Sequence, residues 1–472
     1  MKKLYRFSAI ALLVLPLVFT SCSDYLDRDD DDNITEADVF ARYEKVNGLV
    51  SDVYAAAKKA DRPLVFFEHF SNSAITDECE GTNVEGNITN NFNNGAWNPN
   101  SLPGSVGQYW EALYEGIRKA NLIIENVQKY NTPDNPQQDG DLRNRIGEMY
   151  FMRGYFHMLL LRMYGEAPYI DRVINAGDNM DFKKESVHSM VEKIVTDAQT
   201  AYGMVPNKYV KTSENFGRVD KGACLGLMSF VRWVAATPLW NGASQYGYNL
   251  RRVFENEYAY DATRWRKAKE AAKAVLDFEV GGTKRYSLYT KHDANDFKDP
   301  ADGNLNDSRV YARLWDMFYD MDAFANEYVF FMTKSKDQAW QGDIYPPSRE
   351  GSSRQQPVQE QVDEYEYIVG DYGYPVYSAE ARKGGYDDTN PYVKGTRDPR
   401  FYRDVIYHGA PYRNNKNESK TINTASGSDK IGTNPVTSVS MRPPSGVFRS
   451  LFIFMQRLVM NWARISMKLI NW

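Results

Sequence analysis

The apolar positions of this chain recur mostly three and four residues apart, the spacing of one helix face, and the longest such run organises the rest. Between Asp141 and Ile170 the side chains Leu142, Ile146, Met149, Phe156, Leu160 and Met163 keep that period. Asp141 is placed to cap the start, and Gly165 and Pro168 to stop the run. From Met149 to Tyr164 apolar and aromatic side chains fall on every face, which predicts a helix surrounded by neighbours. Gly147 and Gly154 would let another backbone approach closely. Arg153 and Arg162 lie inside the run, and a guanidinium buried there needs a carboxylate or helix carbonyls to receive it.

Amphipathic helices are predicted on either side of this strut. Thr35 can cap a helix reaching about Ala60, with Val39, Tyr43, Val46, Val50 and Val53 on one stripe. Val106 to Tyr130 turns Tyr109, Trp110, Leu113 and Ile117 inward, and Ser186 to Tyr202 does the same with Val187, Met190, Ile194 and Ala198. Asp220 to Ala236 is thinned by Gly222, Ala223 and Gly226 for tight helix packing, and Trp265 to Phe278 adds one more helix. Periodicity alone therefore predicts a mostly α fold. From Gly281 to Tyr412 the pattern gives way to Tyr, Asp, Gly and Pro loops with short helices such as Arg309 to Met321.

A chain of 472 residues, 42% hydrophobic and 25% charged, can build a large core. Its formal charge of -5 offers no footprint for nucleic acid. Aromatics reach 14%, with 33 tyrosines, and tyrosines on loops give flat, partly wet surfaces suited to sugars or peptides. The Asn/Gly/Thr-rich stretch from Ser71 to Ser105 carries Trp97 among Asn93, Asn94, Asn98 and Asn100. An indole face for a sugar ring with amides for its hydroxyls would make a carbohydrate platform; the alternative is a tryptophan that pins its own loop to the body.

Catalytic signatures are missing from the sequence: there is no G-x-S-x-G elbow, H-E-x-x-H helix, phosphate loop or dinucleotide fingerprint. Glu68-His69 lacks the second histidine of a zinc helix. No cofactor is expected; Asp77, Glu78 and Glu80 around Cys79 could hold a calcium ion, although a solvated acidic turn is the simpler reading. Cys79 and Cys224 read as singly buried thiols.

The first residues form an export signal: Lys2, Lys3 and Arg6, then an apolar stretch from Ala9 to Phe19 too short to span a bilayer comfortably, then Thr20 and Ser21 before Cys22. That thiol stands where bacterial lipoproteins are acylated, and lipid on Cys22 would anchor a folded body to a membrane face. Asp24, Asp27 and Asp29 to Asp32 follow as an acidic tether.

Several of these segments resemble the SusD/RagB family of outer-membrane nutrient-binding lipoproteins of the Bacteroidetes. They are E-x-Y-F-x-R-x-Y-x-x-x-L-L-x-R-x-Y-G-x-x-P from Glu148 to Pro168, W-x-x-L-Y-x-x-I-x-x-A-N from Trp110 to Asn121, the turn from Pro238 to Asn241, QVDEYEY from Gln361 to Tyr367 and NPYVKGTRDPRFY from Asn390 to Tyr402. SCSDYLD at Cys22 is also similar to mature family members. In the last long motif Asp398 can begin a turn, Pro399 fix it and Arg400 return to a carboxylate, an architectural role.

The resemblance implies a tetratricopeptide-like helical-repeat scaffold with a large irregular loop-rich insert. The expected organisation is a signal peptide over residues 1–21, a lipidated acidic tether over 22–34, a helical region over 35–280 and a ligand-facing region over 281–437. It implies a non-enzymatic protein on the cell surface, lipid-anchored to the outer membrane, that binds oligosaccharide, polysaccharide or another polymeric nutrient. That ligand would be passed to a SusC-like TonB-dependent transporter. From loop position and composition, the candidate ligand contacts are Trp97, Asn98 and Asn100, then Trp315, Tyr319, Trp340 and Tyr345. The other classes considered are a surface glycoside hydrolase using two loop carboxylates and an adhesin for host protein or peptide.

After Asp429 no acidic residue occurs, and the last stretch is basic and apolar. Family members continue there into a helix carrying Tyr-Ala-Glu-Ala and then Asn-Glu. Phe452 to Trp472, read two nucleotides out of frame with one allowed codon set, yields those same strings. The expectation is a frameshifted, non-native tail over residues 438–472 in place of the terminal family helices.

Overall fold

The computed structural model describes residues 35–60, 72–81, 88–98, 104–130, 136–209, 215–242, 254–289, 326–331, 342–343, 345–393, 395–413, 419–424 and 440–441. Cys22 with its signal and tether, Glu68-His69, Asn100, Trp315, Tyr319, Trp340 and the helix expected at Arg309 to Met321 lie outside them, as does the tail apart from Ser440 and Met441.

The helical part is a serial array. Helices α1 (Glu36–Phe40), α2 (Tyr43–Ala60), α3 (Ile88–Asn93), α4 (Gly104–Tyr130), α5 (Pro136–Tyr164), α6 (Val187–Met204), α7 (Lys221–Ala236) and α8 (Ala262–Asp277) follow in order. Helix α2 packs on α4 and α5, and from α4 to α8 each helix packs on the next. That nearest-neighbour stacking is the tetratricopeptide-like arrangement. One large core runs through the array, and Val46, Val50, Val53 and Ala57 of α2 are fully buried in it.

The first stretch is two helices rather than one. Thr35 does cap it, accepting from the Asp38 N–H while Asp38 reaches back to the Thr35 N–H, but the chain breaks after Phe40 and restarts at Tyr43. The strut begins earlier than Asp141, at Pro136, whose fixed φ suits a helix start. It spans roughly 44 Å at 1.5 Å per residue. Residues 151–161 are buried without interruption, so no polar face exists, and Gly165 ends the helix in the left-handed region at φ 72°. At Gly147 a Cβ would lie 2.6 Å from Met204 Cβ, whereas at Gly154 it would sit 3.5 Å from Asp197 and Ile194, an ordinary contact.

Arg153 is buried and fully received. Its guanidinium makes a bidentate pair with Asp197 (2.5 and 2.8 Å) and donates to Asn121 Oδ1 and the Asp171 carbonyl. Arg162 instead reaches the exposed surface over the Phe230 ring and needs no such partner. One turn before Arg153, Glu148 is wholly buried and joins three segments. It accepts from Arg145 (2.5 Å) on its own helix, Tyr54 (3.1 Å) on α2, and Tyr209 (2.6 Å) and Arg218 (2.9 Å) on the α6–α7 connection.

Beyond α8 the described chain is loops, short helices α9 (Gln359–Asp363), α10 (Ala379–Lys383) and α11 (Pro399–Asp404), and two-stranded ribbons. Two satellite clusters hold it: Val362 with Phe401, Val405, Ile406 and Tyr407, and Tyr367 with Val376, Ala381 and Tyr386. The Asn390 to Tyr402 motif is architectural, as its residues suggest. Asp398 caps α11 through the Arg400 N–H and pairs with the Arg400 guanidinium. The neighbouring Arg397, 1% exposed, donates to the carbonyls of Tyr365 and Val362. Ser440 and Met441 pair antiparallel with Ile406 and Val405. Cys79 and Cys224 are separate buried thiols. No helix among the described residues is long and apolar enough to cross a membrane.

Candidate functional site

The scaffold and the loop-rich region are joined by a ribbon that carries candidate residues on both sides. Strand β1 (Cys79–Gly81) pairs antiparallel with β2 (Gln355–Pro357), Cys79 opposite Pro357 and Gly81 opposite Gln355, and Val358 N–H extends the pairing to the Glu78 carbonyl. The sequence had these acids as a turn or a calcium cradle. Asp77, Glu78 and Glu80 are exposed beside a buried strand residue, Cys79, as the solvated reading has it. Among the described residues no group of three His, Cys, Asp or Glu side chains is arranged to hold a metal ion.

Helix α3 lies against β1, and Asn93 Nδ2 donates to the Ala74 carbonyl (3.1 Å). The helix closes with paired bonds, Gly95 N–H to Phe92 O and Ala96 N–H to Asn91 O, and Gly95 takes φ 70°. This left-handed cap reverses the chain so that Trp97 returns onto its own helix. The Trp97 ring meets Phe92 edge to face at 4.8 Å and packs on the main core, half-buried, while Asn98 is exposed. Trp97 thus pins its loop, and it still presents part of the indole beside an exposed amide.

On the other side of the ribbon, residues 342–354 form a closed loop. Ser352 N–H bonds Gly342 O (2.7 Å), Arg354 N–H bonds Asp343 O (2.7 Å), and Ser353 N–H bonds Tyr345 O (3.0 Å), with an Arg354–Asp343 ion pair at 2.9 Å. Glu350 and Ser353 are non-glycine residues at φ 61° and 45°, a strain of about 1 to 3 kcal/mol each that the closed loop maintains. Tyr345 is half-buried on the Phe401 cluster, and the Arg349 guanidinium lies over its ring at 4.3 Å. A sugar therefore cannot use that face of Tyr345.

Two carboxyls among the described residues bind their proton more tightly than usual, and neither stands in an open cleft. Burial raises Asp220, which caps α7 through the Ala223 N–H (3.1 Å) beside Arg285, and burial raises Glu327, which receives the Tyr289 N–H (2.9 Å). Both serve backbone donors inside the body. Around the ribbon the described residues offer stacking surface and hydrogen bonds, and none of them sets a nucleophile against a base.

Residues 24–231 match a family described as SusD-like, starch-binding associating with outer membrane. A SusD-like protein of Formosa agariphila is 24% identical over 202 residues, which is 42% of this chain and 38% of that relative, so the match spans well under half of its length. Among solved structures, a SusD-like protein from Bacteroides fragilis superposes with a TM-score of 0.59 at 17% identity, covering 87% of this chain and 69% of that one. A SusD homologue from Bacteroides thetaiotaomicron gives 0.51 at 15% identity, over 92% and 76%. A further structure, solved with a xylogluco-oligosaccharide, gives 0.50 at 13% identity, over 84% and 62%. At these identities the likeness is one of fold.

Proposed function

The chain belongs to the SusD/RagB family, and from that premise we propose that it is a non-enzymatic surface lipoprotein that binds oligosaccharide or polysaccharide for uptake. Lipid on Cys22 anchors it to the outer membrane, and a SusC-like TonB-dependent transporter receives its ligand. The observation that carries this reading is the Trp97 corner: an indole held by a left-handed cap and a perpendicular Phe92, half-exposed next to Asn98. A rigid ring loses little freedom when a sugar stacks on it, and a flexible glycan loses much, so affinity should be modest. The oligosaccharide in the structurally similar protein supports the same ligand class. So does the family description of starch binding at the outer membrane.

The test is calorimetric titration with a panel of oligosaccharides, Trp97→Ala beside the wild type. Binding that weakens about tenfold in the variant supports the assignment of Trp97. A variant that binds as well as the wild type removes Trp97 from the site. Absence of any glycan binding, or release of reducing ends from the panel, overturns the reading as a whole. Labelling with a fatty acid that is lost in Cys22→Ser tests the anchor.

A further inference from the structure

A second aromatic surface lies apart from the Trp97 corner in sequence and is built differently. Strands β3 (Tyr367–Val369) and β4 (Tyr372–Tyr374) form a hairpin in which Tyr367 faces Tyr374 and Val369 faces Tyr372, so these four side chains share one face. Tyr367 and Tyr374 pack into the small cluster with Val376, Ala381 and Tyr386, and Tyr372 continues their row into solvent, 69% exposed. From the other end the Tyr386 ring meets Tyr367 edge to face at 5.5 Å and Tyr377 edge to face at 5.9 Å. Tyr377 is 55% exposed. Tyr377 is thus backed by the buried Tyr386 ring, and Tyr372 stands opposite Val369, which packs on the same cluster.

Polar groups stand beside Tyr377. The Tyr377 hydroxyl is hydrogen-bonded to Asp363, and Gln359 Nε2 donates to the same carboxylate at 2.7 Å. A carboxylate offers about four lone-pair sites, so Asp363 keeps acceptor capacity for further hydroxyls, and Gln359 adds an amide that also bonds the Tyr392 hydroxyl. Flat rings flanked by a carboxylate and an amide match a sugar, whose C–H face stacks and whose hydroxyls bond at the rim. Charge narrows the class. Residues 359–388 carry eight Asp and Glu side chains against only Arg382 and Lys383, and Arg382 already pairs with Asp388 at 3.0 Å. Such a field repels uronates and sulfated glycans.

We propose that Tyr372, Tyr377, Asp363 and Gln359 form a second carbohydrate-binding surface, selective for uncharged oligosaccharides. This deepens the glycan reading and rests on it. With two gripping points on one chain, a polymer long enough to reach both is held more tightly than a short oligomer.

Wild type, Tyr372→Ala/Tyr377→Ala, Asp363→Asn and Trp97→Ala are titrated with cello-, laminari-, malto- and xylogluco-oligosaccharides, and with oligogalacturonate and oligoalginate as acidic counterparts. The expected result is a neutral glycan whose affinity falls about tenfold in the double tyrosine variant and several-fold in Asp363→Asn, with unchanged melting, while acidic oligomers bind at least several-fold more weakly than neutral ones. A glycan that binds the wild type and Asp363→Asn equally, and is lost only in Trp97→Ala, overturns this surface alone. Acidic oligomers that bind through the two tyrosines overturn its selectivity. A wild-type chain that binds no glycan overturns this proposal together with the function it rests on. Should the double variant melt early, Asp363→Asn decides the outcome, because that side chain is only half-buried at the surface of α9.

Discussion

Acid should loosen the scaffold through one histidine. His157 is completely buried on α5, its Nε2 is 3.0 Å from the Ile170 N–H and its Nδ1 is 2.8 Å from the Arg153 carbonyl. An amide N–H can only donate, so Nε2 accepts, Nδ1 carries the proton, and the ring is neutral with both nitrogens used. Burial first, and the Arg153 and Lys193 charges with it, push the ring from its ordinary 6.5 down to about 3, although the bond to the Arg153 carbonyl acts the other way. The unfolded chain therefore takes up a proton that the folded chain refuses. The histidine costs nothing above about pH 6.5, and stability is lost as pH falls from there toward about 3. At pH 5 the loss is about 2 kcal/mol, and it changes little for any folded-state value well below 5. Urea unfolding of wild type and His157→Gln at about pH 7.5 and about pH 5 measures it. The substitution lowers stability at both values, but the wild type should lose about 2 kcal/mol more than the variant between them. Burial, with Arg264, also lowers His188, to about 4, and that contribution cancels in the comparison because both proteins carry it. Two parallel pH dependences would show that the ring is not held neutral and would refute the reasoning.

Glu148→Gln keeps the side-chain shape but leaves the Arg145 and Arg218 guanidinium groups facing a neutral amide in a buried site. Thermal or urea unfolding should show a loss of about 3 kcal/mol or more, and a variant as stable as wild type would mean the junction of α2, α5 and the α6–α7 connection is held by packing alone. At Gly351 an added Cβ would lie 1.9 Å from the Tyr345 carbonyl oxygen, so Gly351→Ala must open the 342–354 loop. Limited proteolysis should cut there faster while far-ultraviolet circular dichroism stays unchanged, and equal cutting rates would show that the loop does not depend on this close approach.

What the sequence disclosed and what it hid follow from the range of the interactions involved. The strut was legible because a helix buried on all sides writes its environment into consecutive residues, and Arg153 within it announced a partner without saying which; Asp197 is supplied by another helix, 44 residues later. Thr35 was readable as a cap because a cap acts within three residues, and Ser186 and Asp220, where two later helices were read to begin, cap them in the same way. The break between α1 and α2 was not, since the hydrophobic stripe continues across it and hides the restart.

The proposed binding surfaces divide along the same line. Asn-Asn-Gly-Ala at residues 93–96 holds a local turn signal that could have shown Trp97 folding back, because a glycine after a short helix invites a left-handed cap. Tyr345 looked like a free platform because nothing local reveals that Arg349 covers it, four residues on in a loop closed by long hydrogen-bonded turns. Tyr372 and Tyr377 were not singled out within a stretch read only broadly as ligand-facing, most of whose rings are architectural. Which rings of a tyrosine-rich segment reach solvent is decided by strand register: Tyr374 stands opposite Tyr367 and is packed, while Tyr372, two residues earlier on the same face, runs past the end of the cluster and is not. One residue of register slip would turn Gly373 to that face and remove both rings from it, so the exposed surface depends on a pairing that composition cannot specify.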